Sequence, residues 1–179
     1  RPMAVNAGGT ELTVEVPLEA LTGVVRVVGD QNASAIPLQI VPTVSFVDMT
    51  GVNASSAFFR LTGSGFIEDA DTLYQFGSES AVDTTSSINV HNANRNSDLS
   101  FPYSSGIFGA VTVTTAGGTS AAYTVGFTSI DSVALSGTPA DAGEGSANAG
   151  QAITITGTGL STATDLAGRY MDDSGNVQV

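Results

Sequence analysis

The sequence predicts an all-β chain built of tandem two-sheet β-sandwich repeats of about seven strands each, and three observations carry that prediction. The first is internal repetition. Pro17-Leu-Glu-Ala-Leu-Thr-Gly23-Val-Val-Arg-Val27 returns 85 residues later, at the proline, as Pro102-Tyr-Ser-Ser-Gly-Ile-Phe-Gly109-Ala-Val-Thr-Val113. Phe59-Arg-Leu-Thr-Gly-Ser-Gly-Phe66 returns 94 residues later as Ile153-Thr-Ile-Thr-Gly-Thr-Gly-Leu160. Self-similarity at a fixed period marks a modular array. The second observation is short apolar/polar alternation between turn residues, at spacings near ten residues, which is strand chemistry. The third is that no segment shows the periodicity of an amphipathic helix of three turns.

The two offsets, 85 and 94, together equal the 179 residues of the chain. Extended outward they align Arg1 with Ser86 and Val179 with Thr85, and the difference between them falls in a loop insertion over Gly137-Thr-Pro-Ala-Asp-Ala-Gly-Glu-Gly-Ser-Ala-Asn-Ala-Gly150. The expected organisation is therefore residues 1–43 as the C-terminal half of a repeat, 44–127 as a complete repeat, and 128–179 as an N-terminal half. That last half continues in phase into residues 1–43 of a neighbouring unit.

In the complete repeat the strands are expected near 44–49, 57–62, 72–77, 88–91, 98–101, 109–115 and 121–127. Phe58-Phe-Arg-Leu61 alternates and stops at Gly63-Ser-Gly65. An aromatic strand follows and ends at Phe76-Gly77, and Phe101 closes its strand against Pro102. Gly109 opens Ala110-Val-Thr-Val-Thr114, the pair Gly117-Gly118 turns the chain, and Ala121-Ala-Tyr-Thr-Val125 finishes the unit. Leu61, Phe66, Leu73, Phe76, Leu99, Phe101, Val111, Val113, Tyr123 and Val125 are the expected core. The half repeats offer Leu12-Thr-Val-Glu-Val16, Val24-Val-Arg-Val-Val28 and Ile153-Thr-Ile155 as equivalent strands. Gly63 and Gly65, like Gly157 and Gly159, bracket one residue at a strand end, where a bulge or positive φ suits glycine. A phosphate loop would need a helix start and a lysine after such a G-x-G, and neither follows.

The order of these motifs resembles the IPT/TIG family of immunoglobulin-like domains. That family's pattern is a G-x-G-F turn, a strand near V-x-F-G, a V-P, and a G-x-V-x-V strand before a glycine-containing hairpin. Here the matching residues are Gly63-Ser-Gly65-Phe66, Phe76-Gly77, Phe101-Pro102 with Val16-Pro17, and Gly109 or Gly23 with the strands that follow. The resemblance extends over essentially the whole chain. It departs after Tyr170, where Met171-Asp-Asp-Ser-Gly175 indicates a longer turn, and at the insertion before Ile153. It implies immunoglobulin-like sandwiches and a place in large bacterial cell-surface or secreted proteins.

Composition narrows the function classes. Seventeen acids against five arginines and no lysine give a formal charge of −12, which lacks the basic footprint of a nucleic-acid binder. No apolar run approaches the ~20 residues that span a bilayer as a helix, so membrane insertion of that kind is not expected. With no cysteine there is no disulfide framework or thiolate metal site. His91 is the single histidine, in a polar stretch with no nucleophile elbow, and its repeat counterpart is Asn6. The chain is accordingly read as non-enzymatic, without an organic cofactor. Glu68, Asp69 and Asp71 form the densest acidic cluster, Asp165 repeats Asp71, and Asp172 and Asp173 open a second oxygen-rich turn. These six are the candidate Ca2+ ligands, although neither turn has the distal glutamate of a full calcium loop. Asn32-Ala-Ser34 and Asn53-Ala-Ser55 fit the N-glycosylation acceptor pattern, which matters only in a host that glycosylates such sites.

The expected function is structural: a repeat segment of an extracellular fibre, stalk or adhesin-like surface protein. The segment acts as a stiff spacer or assembles head to tail with identical chains, with weak, repeated surface or glycan contacts gaining by avidity. The alternative is a carbohydrate-binding accessory module of a secreted polysaccharide-degrading enzyme, which exposed aromatics on one face would favour.

Overall fold

The computed structural model describes residues 2–18, 20–53, 55–66, 72–83, 91–92, 95–162, 164, 166, 170–171 and 177–178. The chain divides into two compact units, Arg1–Tyr123 with Ala167–Val179, and Thr124–Leu166. Both are β structure; the single helical element among the described residues is a 3-10 turn at Ser105–Ile107.

The first unit opens with two small hairpins, β1 (Pro2–Val5) with β2 (Leu12–Val14), and β3 (Gly23–Val25) with β4 (Ile36–Leu38). A sandwich follows, made of β5 (Thr43–Val52), β6 (Ser56–Ser64), β7 (Thr72–Phe76), β8 (Glu79–Asp83), β9 (His91–Asn92), β10 (Arg95–Pro102), β11 (Val111–Thr115) and β12 (Gly118–Thr119). Its two antiparallel sheets have the orders β5-β6-β10-β9 and β12-β11-β7-β8. The remaining hairpin of this unit is β15 (Tyr170–Met171) with β16 (Val177–Gln178). The second unit holds β13 (Gly126–Asp131) paired with β14 (Thr154–Thr158).

Strict alternation explains which side chains fill the sandwich. Along β6 the buried residues are Ala57, Phe59 and Leu61; along β7, Thr72, Tyr74 and Phe76; along β11, Val111, Val113 and Thr115. Successive strand residues face opposite sides, so each set of three covers one face. Phe59 and Phe101 from one sheet meet Phe76 from the other, with ring centroids 4.5 Å and 4.7 Å apart, and 6.0 Å between Phe59 and Phe101. Phe66 caps the end of this core edge-on to Tyr74 at 6.4 Å. Such tilted and edge-to-face aromatic pairs add attraction beyond their buried area.

The core differs from the sequence expectation at three positions, each for a definite reason. Leu73 and Phe76 are three residues apart and so cannot share a strand face; Tyr74 takes the inner place and Leu73 is only half-buried. Tyr123 is half-buried and packs at the margin, and Val125 lies outside the sandwich, 38% exposed. The expected strand over 121–127 reduces to a single bridge, Val111 with Tyr123, because Gly126 and Phe127 already belong to β13, the counterpart of β5. Ala57, Phe59 and Ile107 join the core in addition.

The pairing registers repeat along with the sequence. In β5–β6, Val44 pairs with Gly63 and Phe46 with Thr62, with Ser45 bulged between them; in β13–β14, Phe127 pairs with Gly157 and Ser129 with Thr156, with Thr128 bulged. Both bulged hydroxyls donate to the same carbonyl, Ser45 Oγ to Thr62 O and Thr128 Oγ1 to Thr156 O, each at 3.0 Å. His91 pairs with Asn96 in the sandwich, and Asn6 donates its backbone N–H to Glu11 O in the first hairpin. Two hairpins depart from this pattern. Val25 pairs with Ile36 rather than with the residue equivalent to Tyr123. Tyr170 pairs with Gln178 across seven intervening residues, where Phe76 pairs with Glu79 across two; the segment 172–176 itself lies outside the described residues.

Candidate functional site, a glycine-lined joint

Three of the glycines that the sequence marks as turns meet where the chain enters the sandwich. Ile40-Val41-Pro42 precedes β5 and is gripped from two sides. On one side stands the turn Gly63-Ser64-Gly65, on the other the hairpin turn between β11 and β12. A Cβ on Gly63 would lie 1.7 Å from the Thr43 carbonyl oxygen and 2.7 Å from the Phe66 ring. Gly65 has φ 71°, and a Cβ there would stand 3.2 Å from Pro42 Cα. Gly117 has no unusual φ, yet its Cβ would fall 1.9 Å from the Ile40 carbonyl oxygen and 2.6 Å from Thr22 Oγ1. Glycine is required here by backbone-to-backbone contact, a use that sequence alone does not separate from an ordinary turn.

Hydrogen bonds lock the same place. The Ile40 amide donates to Thr22 Oγ1 at 3.0 Å, and the Thr43 and Ser64 hydroxyls share a bond of 2.8 Å. Pro42 is fully buried, so its ring both fixes its own φ and fills the gap between the strands. The second unit repeats the arrangement. A Cβ on Gly157 would lie 2.1 Å from Gly126 O, and one on Gly159, with φ 70°, 2.7 Å from Thr124 O and 3.6 Å from Val125 Cα. Thr124-Val125 thus takes the place of Val41-Pro42.

The opposite pole of the sandwich is built from a second glycine cluster. Gly77, with φ 55°, is the first of two turn residues between β7 and β8, the position a tight hairpin gives to glycine. Its N–H donates to Ala110 O, and Ser78 N–H donates to Gly106 O at 2.8 Å. Ser104 Oγ donates to Glu79 Oε1 at 2.9 Å. Tyr123 pairs with Val111 at this end. The chain therefore enters at one pole and leaves at the other. Pro102 closes β10 on the same side, pairing with Ser56, whereas Pro17 follows β2 and accepts a bond from the Ala20 amide.

The Ca2+ candidates Glu68, Asp69, Asp71, Asp165, Asp172 and Asp173 lie outside the described residues. Among the described residues no group of three or more acids and histidines is gathered as a cation site. Charged chemistry on the described surface is local. Arg60 pairs with Asp48 across β5 and β6, and Asp131, at the position equivalent to Asp48, accepts instead from Ser129 Oγ and Thr156 Oγ1. Asp30 closes the turn beyond β3: the Asn32 amide donates to Oδ1 and the Ser34 amide to Oδ2. Those bonds, the Asn32 one foremost, hold the Asp30 carboxyl below the usual carboxylate range.

Comparison with family models, with curated proteins and with solved structures finds no match to this chain.

Proposed function

We propose that this chain is a structural segment of an extracellular fibre, stalk or adhesin-like surface protein, made of tandem immunoglobulin-like repeats of the IPT/TIG kind and serving as a stiff spacer. The observation that carries the reading is the clamped joint at Ile40-Val41-Pro42. A spacer resists bending only if the connection between modules is short and wedged, and this one is closely approached by the backbone at Gly63, Gly65 and Gly117, with Pro42 buried beside them. Passage of the chain from pole to pole supports the same reading, because it suits modules laid end to end. The acidic, lysine-free composition suits a protein that stays dispersed by self-repulsion.

The test is a Gly117→Val substitution, whose side chain must displace the Ile40 carbonyl. Amide relaxation and residual dipolar couplings should then report independent tumbling of residues 2–38 against the sandwich, with the sandwich itself intact. Unchanged couplings would remove the joint as the source of stiffness.

A second reading has one specific observation behind it. Phe108 is 58% exposed at the pole where the chain leaves, edge-on to Tyr103 with ring centroids 6.2 Å apart. An exposed aromatic ring is a surface on which a sugar ring stacks. Glycan-array binding that disappears in Phe108→Ala would favour a carbohydrate-binding accessory module.

A further inference from the structure

Two turns carry the acceptor pattern for an N-linked glycan, and their surroundings separate them. Asn32-Ala-Ser34 lies in the loop of residues 26–35 between β3 and β4, and Asn53-Ala-Ser55 is the tip between β5 and β6. Both asparagines are exposed. They differ in the residue that stands two positions before the acceptor, and in how much of the fold must open to present it.

In the loop that preceding residue is Asp30. Its Oδ1 accepts from the Asn32 amide at 2.9 Å and its Oδ2 from the Ser34 amide at 2.8 Å, so the acid and both ends of the acceptor pattern share one turn. Each carboxylate oxygen still has lone-pair capacity for a further donor. Ala33 holds a φ of 50°, and its amide donates to Asp30 O at 3.1 Å. Arg26 Nη1 reaches the Ala33 carbonyl at 3.2 Å, whereas among the described residues nothing bonds the Asn32 carboxamide. Residues 31–35 are all exposed, so this loop reshapes without disturbing a core contact.

At the hairpin tip the preceding residue is Gly51, which has no charge. Asn53 Oδ1 accepts from the Ser55 amide at 2.9 Å, the Ser55 hydroxyl at 3.0 Å and the Ser56 amide at 2.8 Å. The Asn53 amide donates to Ser56 O, and the Ser55 carbonyl accepts from the Tyr103 amide. Ser56 pairs with Pro102, next to the fully buried Ala57. Fitting this tip into another active site strips those bonds and loosens β6 from β10.

We infer that Asn32, and not Asn53, is the acceptor of an N-linked glycan, set by a transferase that reads the negative charge of Asp30 together with Asn32 and Ser34. The donor class is an oligosaccharide carried on a polyprenyl diphosphate. A bond from Asn32 Nδ2 to the anomeric carbon forms as the bond from that carbon to the diphosphate oxygen breaks. The lipid diphosphate leaves, and one amide proton passes to a base of the transferase. The turn survives the reaction, because Asp30 is bonded by backbone N–H groups and the new link uses the side-chain nitrogen. This inference concerns the loop alone, and the stiffness of the Ile40–Pro42 joint stands or falls separately.

The full chain, incubated with a bacterial oligosaccharyltransferase and a polyprenyl-diphosphate-linked glycan, should gain one glycan, placed at Asn32 by peptide mass spectrometry. Asn32→Gln should stay bare, and Asn53→Gln should be modified as the native chain is. Asp30→Asn keeps an acceptor oxygen for the turn but loses the charge. It should slow the modification roughly tenfold or more, the effect of losing one charge-assisted contact. A glycan on Asn53, an unmodified native chain, or an Asp30→Asn chain modified at the native rate would each overturn the inference.

Discussion

Truncating one valine in the sandwich and its sequence counterpart outside it asks how far burial alone sets the loss of stability. Val113 is wholly buried on β11, and Val27 is its counterpart just beyond β3. Val113→Ala removes two methyl groups at ~0.8 kcal/mol each and leaves a cavity between close-packed strands, for a total loss of about 2–3 kcal/mol. A domain of this size loses roughly 4–8 °C of Tm per kcal/mol, so the expected fall is about 8–24 °C. Val27→Ala deletes the same atoms from a side chain already in water, and an exposed substitution outside a strand changes stability by no more than about 0.5 kcal/mol. Urea and thermal unfolding, followed by circular dichroism and by tyrosine fluorescence, measure both. Equal destabilisation by the two variants would refute the reasoning.

Other outcomes test the joint, the surface and the turns. Gly65→Ala forces a side chain into a left-handed φ and should destabilise by roughly 1–2 kcal/mol in chemical denaturation, with Gly63→Ala worse because its Cβ would overlap the Thr43 carbonyl. Asp48→Ala breaks a partly exposed cross-strand pair and should lose only ~0.2–1 kcal/mol by the same measurement. Asp30 has a folded pKa below its unfolded value, so its turn is fully stabilised above about pH 3.8 and released as pH falls through the lower folded pKa. Amide exchange at Asn32 and Ser34 should therefore accelerate in acid, and Asp30→Asn should flatten that dependence. If the acidic turns around Asp71 and Asp172 hold calcium, EDTA should lower the Tm and calcium restore it. An unchanged midpoint removes that expectation.

The shared turn was legible because it is written in residue types with hard steric meaning. Gly63-Ser-Gly65 and Gly157-Thr-Gly159 announce the same turn, and both hold a positive φ at the second glycine, 71° and 70°. The all-β class followed from alternation, and alternation also corrects the core: applied strictly to β7, it selects Tyr74 over Leu73. What stayed hidden is long-range. That Gly117 touches the Ile40 carbonyl depends on a hairpin folding back 77 residues later, which no local pattern records. The end of the sandwich was misplaced because Gly126-Phe127 reads equally well as a last strand or as the first strand of the next unit. Pairing with Gly157 decides it.

Load passing through such a segment identifies its weak point. The strand by which the chain enters, β5, is laced to β6 along its whole length from Thr43 with Ser64 to Val52 with Ala57, so tension shears many bonds together. At the other pole the chain leaves through Tyr123, held by the exchanged backbone bonds with Val111, each 2.9 Å, and by the short β12 beside it. Bonds at a lone bridge break in turn, so residues 118–123 should peel before β5 moves. The Ser120 hydroxyl bonded to the Val113 amide, buried at 3.1 Å, is the next hold behind that bridge. A neighbour that buries Val125 and extends the pairing beyond Tyr123 would turn this peel into a shear.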